Sequence, residues 1–496
     1  MSALLARALV FGSSAAVLVL EILAGRLMAP YLGVTLETFT GIIGVVLAGI
    51  AAGAWAGGRM ADRVVPGPLL GPILAASGLL VLAAPPLVDQ LGPSMRAGGP
   101  LEIVALTATG FFLPAFALSM IPPIVVKLRL SALERTGSVV GDLSALGTAG
   151  ALLGTFVTGF VLVAAAPTRP LLLGVGVLLV LAGVALVARE RTGPGSRRNA
   201  TLTALAVLPA AALLGLTEGP CDFDTKYYCA VIEVDRARPT GRTLWLDTLP
   251  HSYVDLADPT HLEFRYARTV ADVVAETRGG GRGPIDAVYI GGGGFTLPRY
   301  FAAVRPGSRA TVLEIDGVLV EVVRRELGLE LSDALRVEVG DARLELREHA
   351  SGAFDVVVGD AFGGLSVPWH LTTREFLLEI NRVLASDGVY VVNVIDFPPL
   401  DFARAEVATA LEVFPHVAVI APVRYLHGER GGNFVIVASR SALPVAAIQA
   451  RLSARAESEV VWAASDARAF AGAARVLTDD FAPVDQLLSR PRAGRD

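Results

Sequence analysis

Four stations in the second half of the chain carry residues that could do chemistry together. Gly291, Gly292, Gly293 and Gly294 follow the apolar run AVYI, where backbone without Cβ atoms lets a ligand approach closely. Glu314 closes the next apolar run, in TVLEID; Asp341 follows the third, in VGDARLEL; Asp360 follows the fourth, in VVVGDAF. A glycine cluster by itself is a turn, and an acid after a strand is a helix N-cap. Four such stations in register, each at the end of a successive strand, point instead to a nucleoside pocket, with the carboxylate about 20 residues beyond the glycines taking both ribose hydroxyls.

The elements that must hold these stations alternate. YCAVIEV and TLWLDTLPHSYVDL read as strands of a small β region. A helix near 262–277, a strand at 286–290, a helix near 296–304 and a strand at 310–314 come next. Further strands are expected at 335–338, 354–359, 389–395, 415–420 and 433–438, separated by helical stretches such as TTREFLLEINRVL. This alternation predicts a doubly wound, mostly parallel α/β sheet, which binds ligands at the carboxyl ends of its strands. A dinucleotide fingerprint would need a third glycine where Thr296 stands, and no Walker lysine is present. Three acids around a pocket without phosphate-binding signs suit a cationic nucleoside, S-adenosylmethionine or its decarboxylated form.

The first half of the chain is a different material. Of 496 residues 53% are hydrophobic and 18% charged, against roughly a quarter charged in soluble domains. Up to Glu218 there are 13 Lys/Arg and 9 Asp/Glu, net +4, which leaves −9 of the total −5 to the remainder. No basic stretch has the density or aromatic interleaving of a nucleic-acid surface. Apolar stretches long enough to cross a bilayer run over 5–30, 38–58, 68–88, 101–126, 139–165, 170–188 and 200–217, which predicts a transmembrane helical bundle of about seven spans. Small residues recur in GAWAGG and GTAGALLGTF and permit close helix packing. With the N-terminus inside, the inner segments carry Arg7, Arg59, Arg63, Lys127, Arg129, Arg135, Arg189, Arg191, Arg197 and Arg198, the outer ones only Arg26, Arg96 and Arg169. That asymmetry orients a multi-pass cell-membrane protein whose soluble half lies on the extracytoplasmic side. Glu21 and Arg26 near the end of the first span are either functional or a structural ion pair. The expected domains are therefore a bundle over 1–218, a small β region over 219–260 and a Rossmann-like nucleoside-binding domain over 261–496.

Cys221 and Cys229, in CDFDTKYYC, are the only cysteines. A metal site would need further ligands, and no histidine cluster accompanies them. On the outer side of a membrane they are expected to form a disulfide closing a small loop. No metal is expected.

Together these stretches resemble the spermidine synthase (polyamine aminopropyltransferase) family, in the bacterial form fused to a membrane bundle. The resemblance is carried by LEILAGRLMAPYLG, LAGIAAGAWAGGRMADR and ALGTAGALLGTFVTGFVL in the bundle, and by LWLD, LEFRYAR, YIGGGGFTLPRY, VLEID, GDARLEL, FDVVVGDAFGG, HLTTREF and LTDDFAPVDQLL beyond it. It implies a class I methyltransferase or spermidine synthase-type fold. It also implies that the glycine loop, Glu314, and Asp341 with Ala342 hold the methionine-derived tail, ribose and adenine of decarboxylated S-adenosylmethionine. Asp360 matches the catalytic aspartate of the family and Tyr266 its substrate-side tyrosine.

Two positions depart from the family. Its glycine loop ends in an acid where this chain has Gly294 and Phe295, and its second aspartate, three residues past the catalytic one, is here Gly363. His251, His370, Asp396 and the acids of LTDD are the candidates to replace them on the substrate side. The leading expectation is aminopropyl transfer to an amine. The alternatives are methyl transfer from S-adenosylmethionine to a membrane-associated acceptor, and a non-catalytic nucleoside or polyamine sensor or transporter. The pattern leaves a homo-oligomer open.

Overall fold

The computed structural model describes residues 1–33, 35–95, 99–130, 136–189, 219–277, 283–455 and 458–489. The chain divides into two compact units, Met1–Cys229 and Ala230–Asp496.

In the first unit, six helices among the described residues are long and apolar enough to cross a bilayer: α1 (Ala3–Leu32), α2 (Leu36–Arg63), α3 (Gly67–Met95), α4 (Pro100–Arg129), α5 (Thr136–Ala165) and α6 (Thr168–Arg189). They coincide with the first six apolar stretches of the sequence; the seventh expected span, 200–217, lies outside the described residues. Because these helices are apolar on nearly every side, residue size selects their contacts. A Cβ added at Gly49, Gly53 or Gly57 of α2 would meet the backbone of Phe112, Phe116 or Met120 in α4. The spacing of four keeps the three glycines on one face, so the two backbones touch, as small residues permit. Gly150 and Gly154 of α5 lie against Phe11 and Ala15 of α1 in the same way.

One set of this unit's charges pairs at one end of the bundle. Arg26, near the end of α1, pairs with Asp224 at 3.2 Å and donates to the carbonyls of Thr225 and Lys226. Asp224 also accepts from the backbone N–H of Thr168, the first residue of α6, at 2.7 Å. Arg169 grips Asp89 with two hydrogen bonds of 2.8 and 2.5 Å, and the Tyr31 hydroxyl donates to the same carboxylate at 2.9 Å. Arg26 is thus a structural ion pair, the arrangement that makes a guanidinium tolerable near the apolar layer. The loop carrying Asp224 is closed by a disulfide between Cys221 and Cys229, whose Cα atoms are 5.2 Å apart. Helix α6 runs antiparallel to α3, Gly176 facing Gly78 and Gly183 facing Gly71. Arg189 therefore lies at the end of the bundle opposite Asp224.

The second unit opens with strands β1 (Cys229–Val234), β2 (Gly241–Leu246) and β3 (Leu249–Asp255), each antiparallel to the next. The main sheet contains β4 (Asp286–Ile290), β5 (Arg309–Glu314), β6 (Leu335–Val339), β7 (Phe354–Gly359), β8 (Leu384–Asp396), β9 (His416–Pro422), β10 (Gly432–Ser439) and β11 (Glu459–Ala463). Their spatial order is β11-β9-β10-β8-β7-β4-β5-β6. The run from β8 to β6 is parallel, and β10, β9 and β11 extend it antiparallel. Residues such as Val288, Val357 and Val394 on the central strands are buried, as covering helices on both faces require. From β4 the chain winds outward through β5 to β6 and then returns to β7 on the other side of β4. The carboxyl ends of β4 and β7 therefore form the switch point, and the glycine loop and Asp360 occupy it.

The α2–α4 contact gives a direct test. Gly53→Val drives a branched side chain into the Phe116 carbonyl and is expected to destabilise the bundle by about 1–3 kcal/mol, as overpacking does. Gly58→Val, at a site with nothing within 4 Å, is expected to be silent; thermal unfolding of both variants in detergent checks the pair.

Candidate active site

The site is built on the contact between two strand ends. The Gly291 amide donates to the Leu313 carbonyl, and the Asp360 amide to the Ile290 carbonyl, both at 2.9 Å. Gly291 has φ +91°, and a Cβ there would stand 2.6 Å from the Asp360 carbonyl oxygen. Only glycine satisfies both conditions.

Asp360 projects from that junction. One carboxylate oxygen accepts from the Tyr266 hydroxyl at 2.8 Å and the other from the Asn393 amide at 3.1 Å. Asn393, buried on β8, accepts in turn from the Asn433 amide on β10 at 2.9 Å. Tyr266 sits in the first turn of helix α7 (Arg265–Thr277). Desolvation raises the Asp360 carboxyl to about 6, outweighing the two hydrogen bonds that lower it. Desolvation, followed by the neighbouring Asp360 charge, holds the Tyr266 phenol well above its ordinary value. Tyr266 therefore remains a donor.

On the other side of the loop, Glu314 is 5% exposed. Its two oxygens accept from the amides of Gly292 at 2.8 Å and Asp316 at 2.9 Å. Burial raises its carboxyl above the usual range against those bonds. A carboxylate has about four acceptor sites, so the amides fix its orientation and leave room for hydroxyl donors. Asp341 caps the short helix that begins at Ala342, accepting from the Arg343 amide at 2.9 Å. His370 lies 3.1 Å from the other Asp341 oxygen.

The loop residues that replace family acids are sterically committed. The Gly294 amide donates to the Ser252 hydroxyl of β3 at 2.8 Å, and a Cβ on Gly294 would stand 2.8 Å from the Ser252 Cβ. Phe295, fully buried with φ +59°, closes the loop with its ring near Gly292. An acid at either place would have to displace this packing.

Two cavities meet at Phe264 and Tyr266, and Asp360 lines the smaller one. A small one of about 20 Å³ is lined by Ser252, Tyr266, Gly291, Gly292 and Asp360 among others. A larger one of about 490 Å³ begins at Tyr266 and Asn393 and runs toward the antiparallel strands.

The four candidate replacements divide. His251 lines the larger cavity, edge-on to Phe362, and burial pushes its imidazole down to about 4, so it is neutral at pH 7. His370 is not on that side; its partner is Asp341, at the end of β6. Asp396 is fully buried and accepts from the amides of Phe397, Ala403 and Ser489, a capping role. Asp479 of LTDD is locked to Arg343 at 2.8 and 2.6 Å and to the Thr373 hydroxyl at 2.7 Å. Asn393 and Asn433 are not among the residues expected from the sequence; their signal is an amide interrupting an apolar strand run, in VVNVID and GGNFVIV. Among the described residues no three His, Cys, Asp or Glu side chains converge as metal ligands would.

No model of a known protein family matches the chain. A polyamine aminopropyltransferase of Vibrio vulnificus is 31% identical over 224 residues, covering 41% of this chain and 70% of that protein. A polyamine aminopropyltransferase of Bacillus cereus is 28% identical over 169 residues, 33% of this chain and 58% of its own. A crystal structure of a probable spermidine synthase from Corynebacterium glutamicum aligns at 30% identity and TM-score 0.49, over 54% of this chain and 98% of that one. The sequence likeness to the Vibrio protein makes this chain, with its Rossmann-like second unit, a transferase. The chain belongs to the polyamine aminopropyltransferase (spermidine synthase) family.

If Asp360 acts as a general base it must be ionised, so activity is expected to be half-maximal near pH 6, to level off about one unit above, and to fall as pH drops further. Asn393→Ala removes a hydrogen bond that lowers this value. The acid limb of kcat/KM against pH is expected to move to higher pH in that variant, and an unmoved limb would assign the limb to another group.

Proposed function

We propose that this protein is a membrane-anchored aminopropyltransferase that moves the aminopropyl group of decarboxylated S-adenosylmethionine to an amine. The observation that carries this reading is the small cavity beside the glycine loop. It offers the Asp360 carboxylate and the hydroxyls of Ser252 and Tyr266, and no Lys or Arg is among its described lining residues. Such a lining suits a cationic tail better than one ending in a carboxylate. The glycine loop is close-packed against the strand ends, where Cβ atoms at Gly291, Gly292 or Gly294 would collide with Asp360, Phe295 or Ser252. Glu314 would hold the ribose hydroxyls, and Asp341 and Ala342 would border the adenine, with His370 behind Asp341.

The donor supplies a carbon activated by a neighbouring sulfonium. The acceptor must be neutral to attack, although amines are mostly protonated near pH 7. Asp360 positions the ammonium and accepts its proton, while Tyr266 and Asn393 hold the two carboxylate oxygens in place. The new C–N bond forms as the C–S bond breaks, and the electron pair left on sulfur gives neutral methylthioadenosine. Methyl transfer from S-adenosylmethionine is the second reading, favoured by the missing acids at Gly294 and Gly363.

We further infer that the chain leaves the bundle on the extracytoplasmic side. Arg7, Arg59, Arg63, Lys127, Arg129 and Arg189 share one end of the bundle, the basic end that faces the cytoplasm. Asp224 and the disulfide loop, which lead into the second unit, are anchored by Arg26 and Thr168 at the other end. Single cysteines placed in the second unit are expected to react with membrane-impermeant maleimide in intact cells. Labelling only after lysis would reverse the orientation.

Purified full-length protein incubated with a panel of amines and either donor tests the chemistry by mass spectrometry. Products heavier by one aminopropyl unit, with methylthioadenosine, are expected. Methylated product with adenosylhomocysteine would establish the second reading, and donor binding without product a non-catalytic role. Asp360→Asn is expected to lower kcat by roughly 10²–10⁴-fold, the range for loss of a general base.

A further inference from the structure

Resting on the transfer reading above, we propose that Glu459 binds the far ammonium of a linear polyamine acceptor and so selects for acceptor length. The larger cavity is floored by one face of the sheet across β8, β10, β9 and β11. Asn393 on β8 stands opposite Val435 on β10, and Val435 opposite Ile420 on β9. Two residues further along, Ile395 is opposite Asn433, and Pro422 opposite Glu459 on β11. Directly opposed residues, and residues two apart on one strand, share a face. All of these residues line the cavity, and helix α7 adds Arg265, Tyr266, Arg268 and Thr269.

Along this floor the chemistry runs from amide through hydrocarbon to carboxylate. Asn393 and Asn433 lie on the strands at one end, near Tyr266, the wall shared with the smaller cavity that Asp360 lines. Ile395, Val435, Ile420 and Pro422 follow, and Glu459 stands on the edge strand. A polyamine repeats that alternation, with methylenes between charged nitrogens. The Glu459 side chain is 4% exposed and faces Arg265 at 3.8 Å, an ion pair longer than a hydrogen bond. A carboxylate has about four acceptor sites, so this contact does not fill it. Arg265 is 47% exposed and can turn toward water, while Arg268 is engaged with the carbonyls of Leu262 and Glu263.

The length of the floor sets which acceptors reach Glu459. Three strand steps separate Asn393 from Glu459, roughly 14 Å at the usual spacing, and the glutamate side chain covers part of that. In putrescine five bonds separate the nitrogens, about 6 Å when extended; in spermidine nine bonds separate the end nitrogens, about 11 Å. With the reacting nitrogen at the Tyr266 end, the shorter amine leaves its second ammonium over Val435 and Ile420, and the longer one brings it to Glu459. Both are acceptors, and they differ in how much of the site they use.

Titration calorimetry of full-length protein in detergent with putrescine, spermidine and 1,8-diaminooctane tests this. The last has the end-to-end span of spermidine and no middle nitrogen. Spermidine and 1,8-diaminooctane are expected to bind about tenfold more tightly than putrescine, the size of one charge-assisted contact. Glu459→Gln is expected to remove that difference, and Glu459→Asp, which keeps the charge, to retain part of it. With decarboxylated S-adenosylmethionine, Glu459→Gln is expected to raise the KM of spermidine far more than that of putrescine. A merely structural role would weaken all three amines alike. Equal affinity of the three for the unaltered protein, or no binding, overturns the proposal without any variant. A preference for spermidine alone also overturns it, since the middle nitrogen would then make the contact, as does a length preference that survives Glu459→Gln. A length preference lost in Glu459→Gln, with no aminopropyl product from any amine, would instead remove the transfer reading and leave the Glu459 site standing.

Discussion

A carboxylate enclosed by protein at a strand end needs partners, and those of Asp360 arrive from three separate elements. Tyr266 comes from the first turn of a helix, Asn393 from the neighbouring parallel strand, and Asn433, one step further, from an antiparallel strand. The bonds from Tyr266 and Asn393 favour the ionised form, while the enclosure favours the neutral one, and the balance leaves the group at about 6. A fully solvated aspartate would be too weak a base, and one without the two bonds would stay protonated near neutrality. The sheet order is what permits the compromise. Only at the reversal between β4 and β7 can a strand-end residue face both the glycine loop and the parallel strand beside it.

The two sides of this carboxylate differ in how much of their chemistry is fixed by packing. On the glycine side nearly every polar group is already engaged locally. Glu314 binds the loop's own amides, Gly294 seats on Ser252, and Asp341 caps a helix. A donor entering there would meet acceptors that are already aimed, so little reorganisation stands between binding and reaction. On the other side apolar walls dominate.

The legible parts of the molecule are those in which local pattern and tertiary demand agree. Strands β4, β5 and β7 are short apolar runs whose buried positions lie in the sheet's interior, and their ends carry the glycine loop and the acids Glu314 and Asp360 in plain view. Strand β8 begins at Leu384, earlier than expected, since ASDG reads as a turn and the ladder beside β7 steps across it, from Leu384 opposite Phe354 to Val389 opposite Val356. Edge strand β11 is absent from the expected strands because EVVWA pairs on one side only and needs no long apolar run. His370 and Asp479 belong on the opposite side from the one the sequence suggests. Their partners, Asp341 and Arg343, lie 29 and 136 residues away, and no periodicity encodes such contacts. Asp396 reads as a spare acid because capping of distant amides leaves no trace in its own neighbourhood.

Asp224 joins parts of the chain that are synthesised far apart. Its partners Arg26 and Thr168 precede it by 198 and 56 residues, so its clasp can form only after α1 and α6 are both in place. Contacts of such separation close late. The junction with the second unit is therefore among the last pieces of the bundle to set. A single carboxylate thus ties the order of closure together: the helical bundle first, then its seal at Asp224, with the sheet of the second unit following in the chain.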